Sequence, residues 1–208
     1  LVEDGLSCGA HPALDVGVVA RGVALEGAPE APPLVRNPDG PIRILYASRL
    51  QNVEKRCMDV ARLADALHER GVAFVLTVAG DGPGRGELEA ALRGHIGAGR
   101  VAVLGAVALA EMAALHRAHD VCLLVSALEG APEAAIEALA AGRPLAITTG
   151  CGDAVVATRN HDAGIIARTA EVAAMAAAPG PLRTRPRLLA WMAARARPAA
   201  RPASPPER

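Results

Sequence analysis

Two stretches of this chain hold side chains whose types and spacing could do chemistry. The first is Ser48-Arg49-Leu50-Gln51-Asn52-Val53-Glu54-Lys55-Arg56, a polar run directly after an apolar one. Arg49 and Lys55 lie in a loop that leads into a helix. Two cations so placed can converge on one anion, and a helix N-terminus adds N–H donors and partial positive charge. Lys55 is the sole lysine among 22 basic residues, which singles it out further. The second stretch is Ser126-Ala127-Leu128-Glu129-Gly130-Ala131-Pro132-Glu133-Ala134-Ala135-Ile136-Glu137. Glu129 falls in a loop and Glu137 in the helix after it, with Gly130 allowing close approach of a ligand. Glu133 and Glu137 share a helix face with no Lys or Arg four positions on to pair them. A carboxylate on a rigid helix facing the strand ends can accept both hydroxyls of a ribose. The plainer reading of both stretches is a solvated basic loop and exposed glutamates.

Those loops need elements to position them, and the hydropathy pattern supplies a regular set. From Ile42 onward, short apolar β-type runs alternate with helical stretches. Strands are predicted at Ile42–Ala47, Ala73–Ala79, Val101–Leu104, Val121–Val125, Pro144–Thr148 and Gly164–Ala167. Helices are predicted at Cys57–Arg70, Glu87–Arg93, Leu109–Ala118, Pro132–Ala141 and Ala170–Ala178, with Gly71 and Gly142 as stops. Strands this apolar, separated by helices, predict a parallel sheet covered on both faces. The expected fold is α/β, a doubly wound six-stranded Rossmann-like domain over residues 42–178. Ligands of such sheets bind at the carboxyl ends of the strands, where both polar stretches fall. Residues 1–41, rich in Gly and Pro, read as a linker or the remnant of a preceding domain, with ordered strand only within Ala13–Leu25. Residues 179–208 read as a short basic helix, Arg187–Arg197, and a disordered tail from Pro198.

Composition narrows the function further. Tyr46, Phe74 and Trp191 are the only aromatics in 208 residues, so a site built on aromatic base stacking is not expected. Formal charge is zero overall, but seven Arg and one Glu fall in residues 179–208, leaving the remainder net acidic. That distribution does not suit a nucleic-acid-binding domain. The basic C-terminal segment, with Trp191 and Met192, suits either a helix packed on a preceding domain or peripheral contact with anionic lipid. No apolar run reaches membrane-spanning length and no basic-then-apolar leader is visible. Cys8, Cys57, Cys122 and Cys151 form no C-x-x-C pair, which points to a reduced, cytoplasmic protein; Cys57 and Cys122 read as core residues. Cys151, between glycines after a strand, has no His or Asn placed to make it a nucleophile. His116 and His119, three apart on a helix, read as surface histidines in the absence of a third metal ligand. The Gly80–Gly86 stretch follows the second strand and is a turn with close backbone packing, not a dinucleotide fingerprint.

Taken in order, Arg49…Lys55, Ala79-Gly80-Asp81-Gly82-Pro83, Leu104-Gly105, His119-Asp120-Val121 and Ser126-x-x-Glu129-Gly130-x-Pro132-x-x-x-x-Glu137-Ala138-x-Ala140-x-Gly142-x-Pro144 resemble the C-terminal domain of group 1, family 4 glycosyltransferases. The likeness runs from Ile42 to Ala167. It implies one half of a GT-B enzyme, a retaining transferase of two Rossmann-like domains. The substrate would be a nucleotide diphosphate sugar, with no metal or other cofactor. On that resemblance Arg49 and Lys55 grip the donor diphosphate and Glu129 faces the donor sugar. Glu137 holds the ribose, and Ser126, Gly130, Ala131 and Pro132 line the sugar and phosphate. Gly105 and Val107 border the base, and Gly80 sits in a turn at the cleft edge. Ala131 stands where the family carries a bulkier residue. The acceptor, a glycan or lipid-linked molecule, would bind a separate domain or subunit, for which 41 residues leave no room. A nucleotide-sugar-binding module without turnover is the alternative, and a sugar-nucleotide epimerase a more distant one.

Overall fold

The structure, a computed structural model, describes Leu34 and residues 39–177 and 185–200. The strand expected within residues 13–25, and residues 201–208 of the predicted tail, lie outside the described residues.

Six strands form one sheet: β1 (Ile42–Ala47), β2 (Phe74–Ala79), β3 (Val101–Gly105), β4 (Val121–Leu124), β5 (Leu145–Thr148) and β6 (Gly164–Ala167). Their order is β3-β2-β1-β4-β5-β6, and every neighbouring pair is parallel. The chain winds outward from β1 to β3, then returns to β1's other side and winds outward again. The expected doubly wound Rossmann-like sheet is therefore present. The winding reverses between β1 and β4, and such a switch point opens a crevice at the strands' carboxyl ends.

The connecting helices are α1 (Met58–Glu69), α2 (Arg85–Ala91), α3 (Arg93–Gly97), α4 (Leu109–Ala118), α5 (Glu133–Ala140), α6 (Asp153–Asn160) and α7 (Pro186–Ala199), with a 3-10 segment at Thr169–Ala177. Strand alternation divides the core between the two faces. Ile42, Ile44 and Tyr46 of β1 and Val121 and Leu123 of β4 pack with Val60, Leu63 and Leu67 of α1. Leu45 and Ala47, with Cys122 and Leu124, pack instead with Ala135, Ala138 and Leu139 of α5. With so few aromatics, the layers are filled by Ala, Val, Leu and Ile.

Two helices end as their sequences require. Gly71 (φ +66°) donates to His68 O while Val72 N donates to Leu67 O. Gly142 (φ +71°) donates to Leu139 O and Arg143 N to Ala138 O. Both are Schellman closures, which place glycine in the left-handed region.

Four expectations need correction. α3 and α6 were not expected. The helix expected at Ala170–Ala178 is a 3-10 segment broken at Glu171 (φ −119°, ψ 34°). The C-terminal helix runs on through Pro198, with Ala199 and Ala200 buried, so the tail does not begin at Pro198. Pro198 lies inside the last turn, where it supplies no backbone N–H to the helix. α7 also packs on this domain itself: Leu189 joins one core face, and Ala196, Ala199 and Ala200 the other. Among the described residues no helix is long and apolar enough to cross a membrane.

Candidate functional site

The loop after β1 is fixed from two sides. Ser48 N donates to Ala79 O, Leu50 N to Asp81 O, and Gly84 N to Leu50 O, tying it to the loop after β2. Gly80 and Gly82 make that approach possible: a Cβ at Gly80 would lie 1.8 Å from Ser48 O, and one at Gly82 2.5 Å from Leu50 O. Both have positive φ (146° and 151°), so the Gly-Asp-Gly-Pro turn is a backbone seam beside the crevice. On the strand side, the Tyr46 hydroxyl donates to Lys55 O at 3.3 Å. Burial pushes the Tyr46 phenol up from its usual range, against a smaller opposing effect of a hydrogen bond with Ser48, so it remains a donor.

The loop after β4 meets this one directly. Ala127 N donates to Glu54 O at 2.7 Å. Lys55 Nζ donates to Glu129 Oε1 at 2.5 Å, and the Ser126 hydroxyl donates to the same oxygen at 2.6 Å. The two charged side chains are only 15% and 11% exposed, so this is a largely desolvated ion pair. The loop after β5 forms the floor. Glu129 N donates to Gly150 O, Asp153 N to Gly130 O, and the buried Thr148 hydroxyl to Ser126 O. A Cβ at Gly150 would lie 2.3 Å from Ala127 O, and at Gly152 (φ +50°) 2.0 Å from Gly130 O. Three loops, after β1, β4 and β5, thus hold the Lys55–Glu129 pair at the switch point.

The remaining expected residues are placed less tightly. Arg49 is 72% exposed and sits 3.8 Å from Glu54. Pro132 is the buried N-cap of α5, while Gly130 is exposed and Ala131 half-buried just before it. Glu137 lies on the second turn of α5, its side chain 36% exposed, with Oε2 3.6 Å from His116 Nε2. Gly105 (φ +74°) accepts from Gly80 N at 2.7 Å, and Val107 is half-buried after β3. The structure therefore joins Ser126, Lys55 and Glu129 in one cluster. Arg49 and Glu137 contact neither Lys55 nor Glu129 through an ion pair or hydrogen bond among the described residues.

The histidines are not surface residues: His116 is 1% and His119 7% exposed. They also diverge. His119 Nδ1 donates to Leu115 O at 2.7 Å and Nε2 accepts from the Thr77 hydroxyl at 2.8 Å, while His116 faces Cys122 and Glu137. Burial pulls the His119 imidazole below its usual range, against a smaller upward pull from the Leu115 carbonyl. Cys57, Cys122 and Cys151 are buried free thiols. Burial pushes the Cys151 thiol up, which keeps it protonated and inert. Among the described residues no group of three or more His, Cys, Asp or Glu could hold a metal ion. A groove of about 420 Å³ between α1 and α2 is lined by Asn52, Arg56, Asp59, Arg62 and Glu87, none of them an expected site residue. Sequence reasoning missed Gly150 and Gly152 as supports of the Glu129 loop and His116 as a neighbour of Glu137. A Gly-Cys-Gly after a strand was the available signal for the first; the second is visible only in three dimensions.

Comparison with known proteins now decides the family. A model of the group 1 glycosyl transferases matches residues 41–182. The chain belongs to the group 1 glycosyltransferases. Among relatives, the putative glycosyltransferase EpsF of Bacillus subtilis (strain 168) is 34% identical over 120 residues, covering 58% of this chain and 29% of EpsF. S. aureus TarM G117R, solved with fondaparinux, alpha-GlcNAc-glycerol and UDP, superposes with a TM-score of 0.77 at 16% identity, over 95% of this chain and 38% of TarM. Anabaena Alr3699/HepE, solved with UDP, gives 0.64 at 20% identity, over 78% of this chain and 44% of HepE. These structures share the GT-B glycosyltransferase type of Rossmann-like fold with this domain. The chain thus spans less than half the length of each of these three relatives.

Proposed function

We propose that this domain binds the nucleotide diphosphate sugar of a retaining glycosyl transfer at the crevice between β1 and β4. Family membership supports the class of reaction. The observation that carries the site assignment is the desolvated Lys55–Glu129 pair at the switch point, bridged by Ser126.

The chemistry follows from charge. A diphosphate entering beside Lys55 would meet Glu129 as a like charge unless Lys55 turns from the carboxylate to the phosphate. Donor binding therefore opens the pair. Lys55 then takes the diphosphate, and exposed Arg49 folds in from the same loop to share it. Glu129, still held through Ser126 and its own backbone, presents its carboxylate to the hydroxyls of the donor sugar. As the anomeric C–O bond breaks, negative charge grows on the departing diphosphate, and the two cations stabilise it without a metal. Gly130 and Ala131, next to the α5 N-terminus, offer backbone N–H groups to the same anion. Glu137 accepts the ribose hydroxyls, with Gly105 and Val107 beside the base. The acceptor is held by a further domain or subunit, since transfer needs both substrates aligned.

Calorimetric titration with UDP, GDP and ADP tests this reading. At least one should bind, and Lys55→Ala and Glu137→Ala should each weaken binding by about 1–3 kcal/mol, as for lost charged hydrogen bonds. Wild-type affinity in both variants would refute the assignment. Donor hydrolysis or transfer by the chain would separate an enzyme from a binding module.

A further inference from the structure

His116 is a fully buried imidazole whose Nε2 has no hydrogen-bond partner. Buried polar groups are almost always paired, and leaving a donor unpaired is costly. Its other nitrogen is accounted for, since Nδ1 lies 3.1 Å from Cys122 Sγ on β4. Burial pushes the Cys122 thiol up to about 12, so the sulfur carries a proton that it can donate to Nδ1. With Nδ1 accepting, the ring proton sits on Nε2. Oε2 of Glu137 on α5 lies 3.6 Å from that nitrogen. This distance is just beyond a hydrogen bond. Glu137 is more than one-third exposed and free to shift, while His116 is clamped in the core.

We propose that His116 is a positioning residue: its Nε2–H captures one carboxylate oxygen of Glu137 and sets the orientation in which the carboxylate receives the ribose hydroxyls of the donor. This inference rests on the assignment of Glu137 to the ribose. Contacts that are long in an empty site often tighten when substrate binds. Here the fixed partner is the histidine and the adjustable one the carboxylate. The sulfur relay matters because it selects the tautomer: a ring protonated on Nδ1 would turn a lone pair toward Glu137 and repel it. Cys122 and His116 thus make a second layer behind the ribose contact, joining β4, α4 and α5.

The test uses the whole chain and two ligand sets, UDP, GDP and ADP against their 2′,3′-dideoxy counterparts. Wild type should bind the ribose form more tightly. His116→Leu should weaken the ribose form by about five- to tenfold, as for part of a charged hydrogen bond, and leave the dideoxy form unchanged. His116→Gln, which keeps a donor near the Nε2 position, should restore most of the discrimination. A loss of packing alone would lower both ligand sets together and would not be rescued, which would overturn the proposal. So would full discrimination in His116→Leu when Glu137→Ala has lost it. If wild type itself does not discriminate, the ribose assignment of Glu137 fails first and this inference falls with it. NMR of the ring nitrogens in the unmutated chain decides even if the variants do not fold. A His116 ring carrying a proton on Nε2, with that signal shifting on nucleotide binding, is expected; a ring protonated on Nδ1 alone would overturn the proposal.

Discussion

Replacing the ion pair at the switch point separates its cost to folding from its use in binding. Lys55 Nζ and Glu129 Oε1 are 2.5 Å apart, with side chains 15% and 11% exposed. An exposed pair contributes about 0–1 kcal/mol, whereas removing one partner of a buried pair costs about 3–5 kcal/mol. At this exposure Lys55→Met should cost about 2–4 kcal/mol, because Glu129 keeps only the Ser126 hydroxyl and a charge that has lost its counterion. Glu129→Gln should cost about 1–2 kcal/mol, since the amide oxygen still accepts from Lys55. The double variant removes both charges and should lie within about 1 kcal/mol of wild type, because replacing both partners with neutral groups of similar shape is often nearly neutral. The coupling energy, read from urea unfolding without nucleotide, should then be about 2 kcal/mol or more. Nucleotide affinity should not recover in the double variant, because Lys55 is then absent from the diphosphate site. Additive single effects within about 0.5 kcal/mol would show that the charges do not depend on each other, and the reasoning would fail.

The remaining predictions concern the floor of the site and its pH range. Gly152→Ala places a Cβ 2.0 Å from Gly130 O at φ +50°, so it should cost more than about 2 kcal/mol in unfolding and weaken nucleotide binding. Gly94→Ala on α3, with nothing within 4 Å, serves as the control and should be neutral or stabilising by about 0.5–1 kcal/mol. His119 is held below its usual range by burial, so the unfolded chain binds its proton first as the pH falls. Its contribution to stability is complete above about pH 6.5 and declines below that toward the lower folded value. Urea midpoints between pH 7.5 and 5 should fall for wild type and fall less for His119→Gln; equal slopes would contradict the assignment.

The sheet was legible because each strand is a short apolar run closed by a turn residue, and the strands alternate with helical stretches. Ile42–Ala47 and Gly164–Ala167 match their expected limits, and the other four strands differ only at an end. The winding order followed from the fold class, and with it the meeting of the Lys55 and Glu129 loops. What the sequence concealed was which Ala-rich faces turn inward. On α4 the apolar Leu109 is 77% exposed while His116 is 1% exposed, the reverse of what hydropathy suggests. An alanine-rich helix has no strong stripe, and the thiol of Cys122 gives His116 a partner that lies on another element. The 3-10 segment was hidden for a similar reason: Thr169–Ala177 has helical composition, but the chain breaks at Glu171. α6 was missed because eight residues between glycines and a short strand carry little periodicity.

A structure of this chain with its nucleoside diphosphate tests the central claim most directly. The account predicts the diphosphate within hydrogen-bond reach of Lys55 and Arg49, the Lys55–Glu129 pair opened, and the ribose on Glu137. A nucleotide bound elsewhere, such as the groove between α1 and α2, with the Lys55–Glu129 pair still closed, would contradict it.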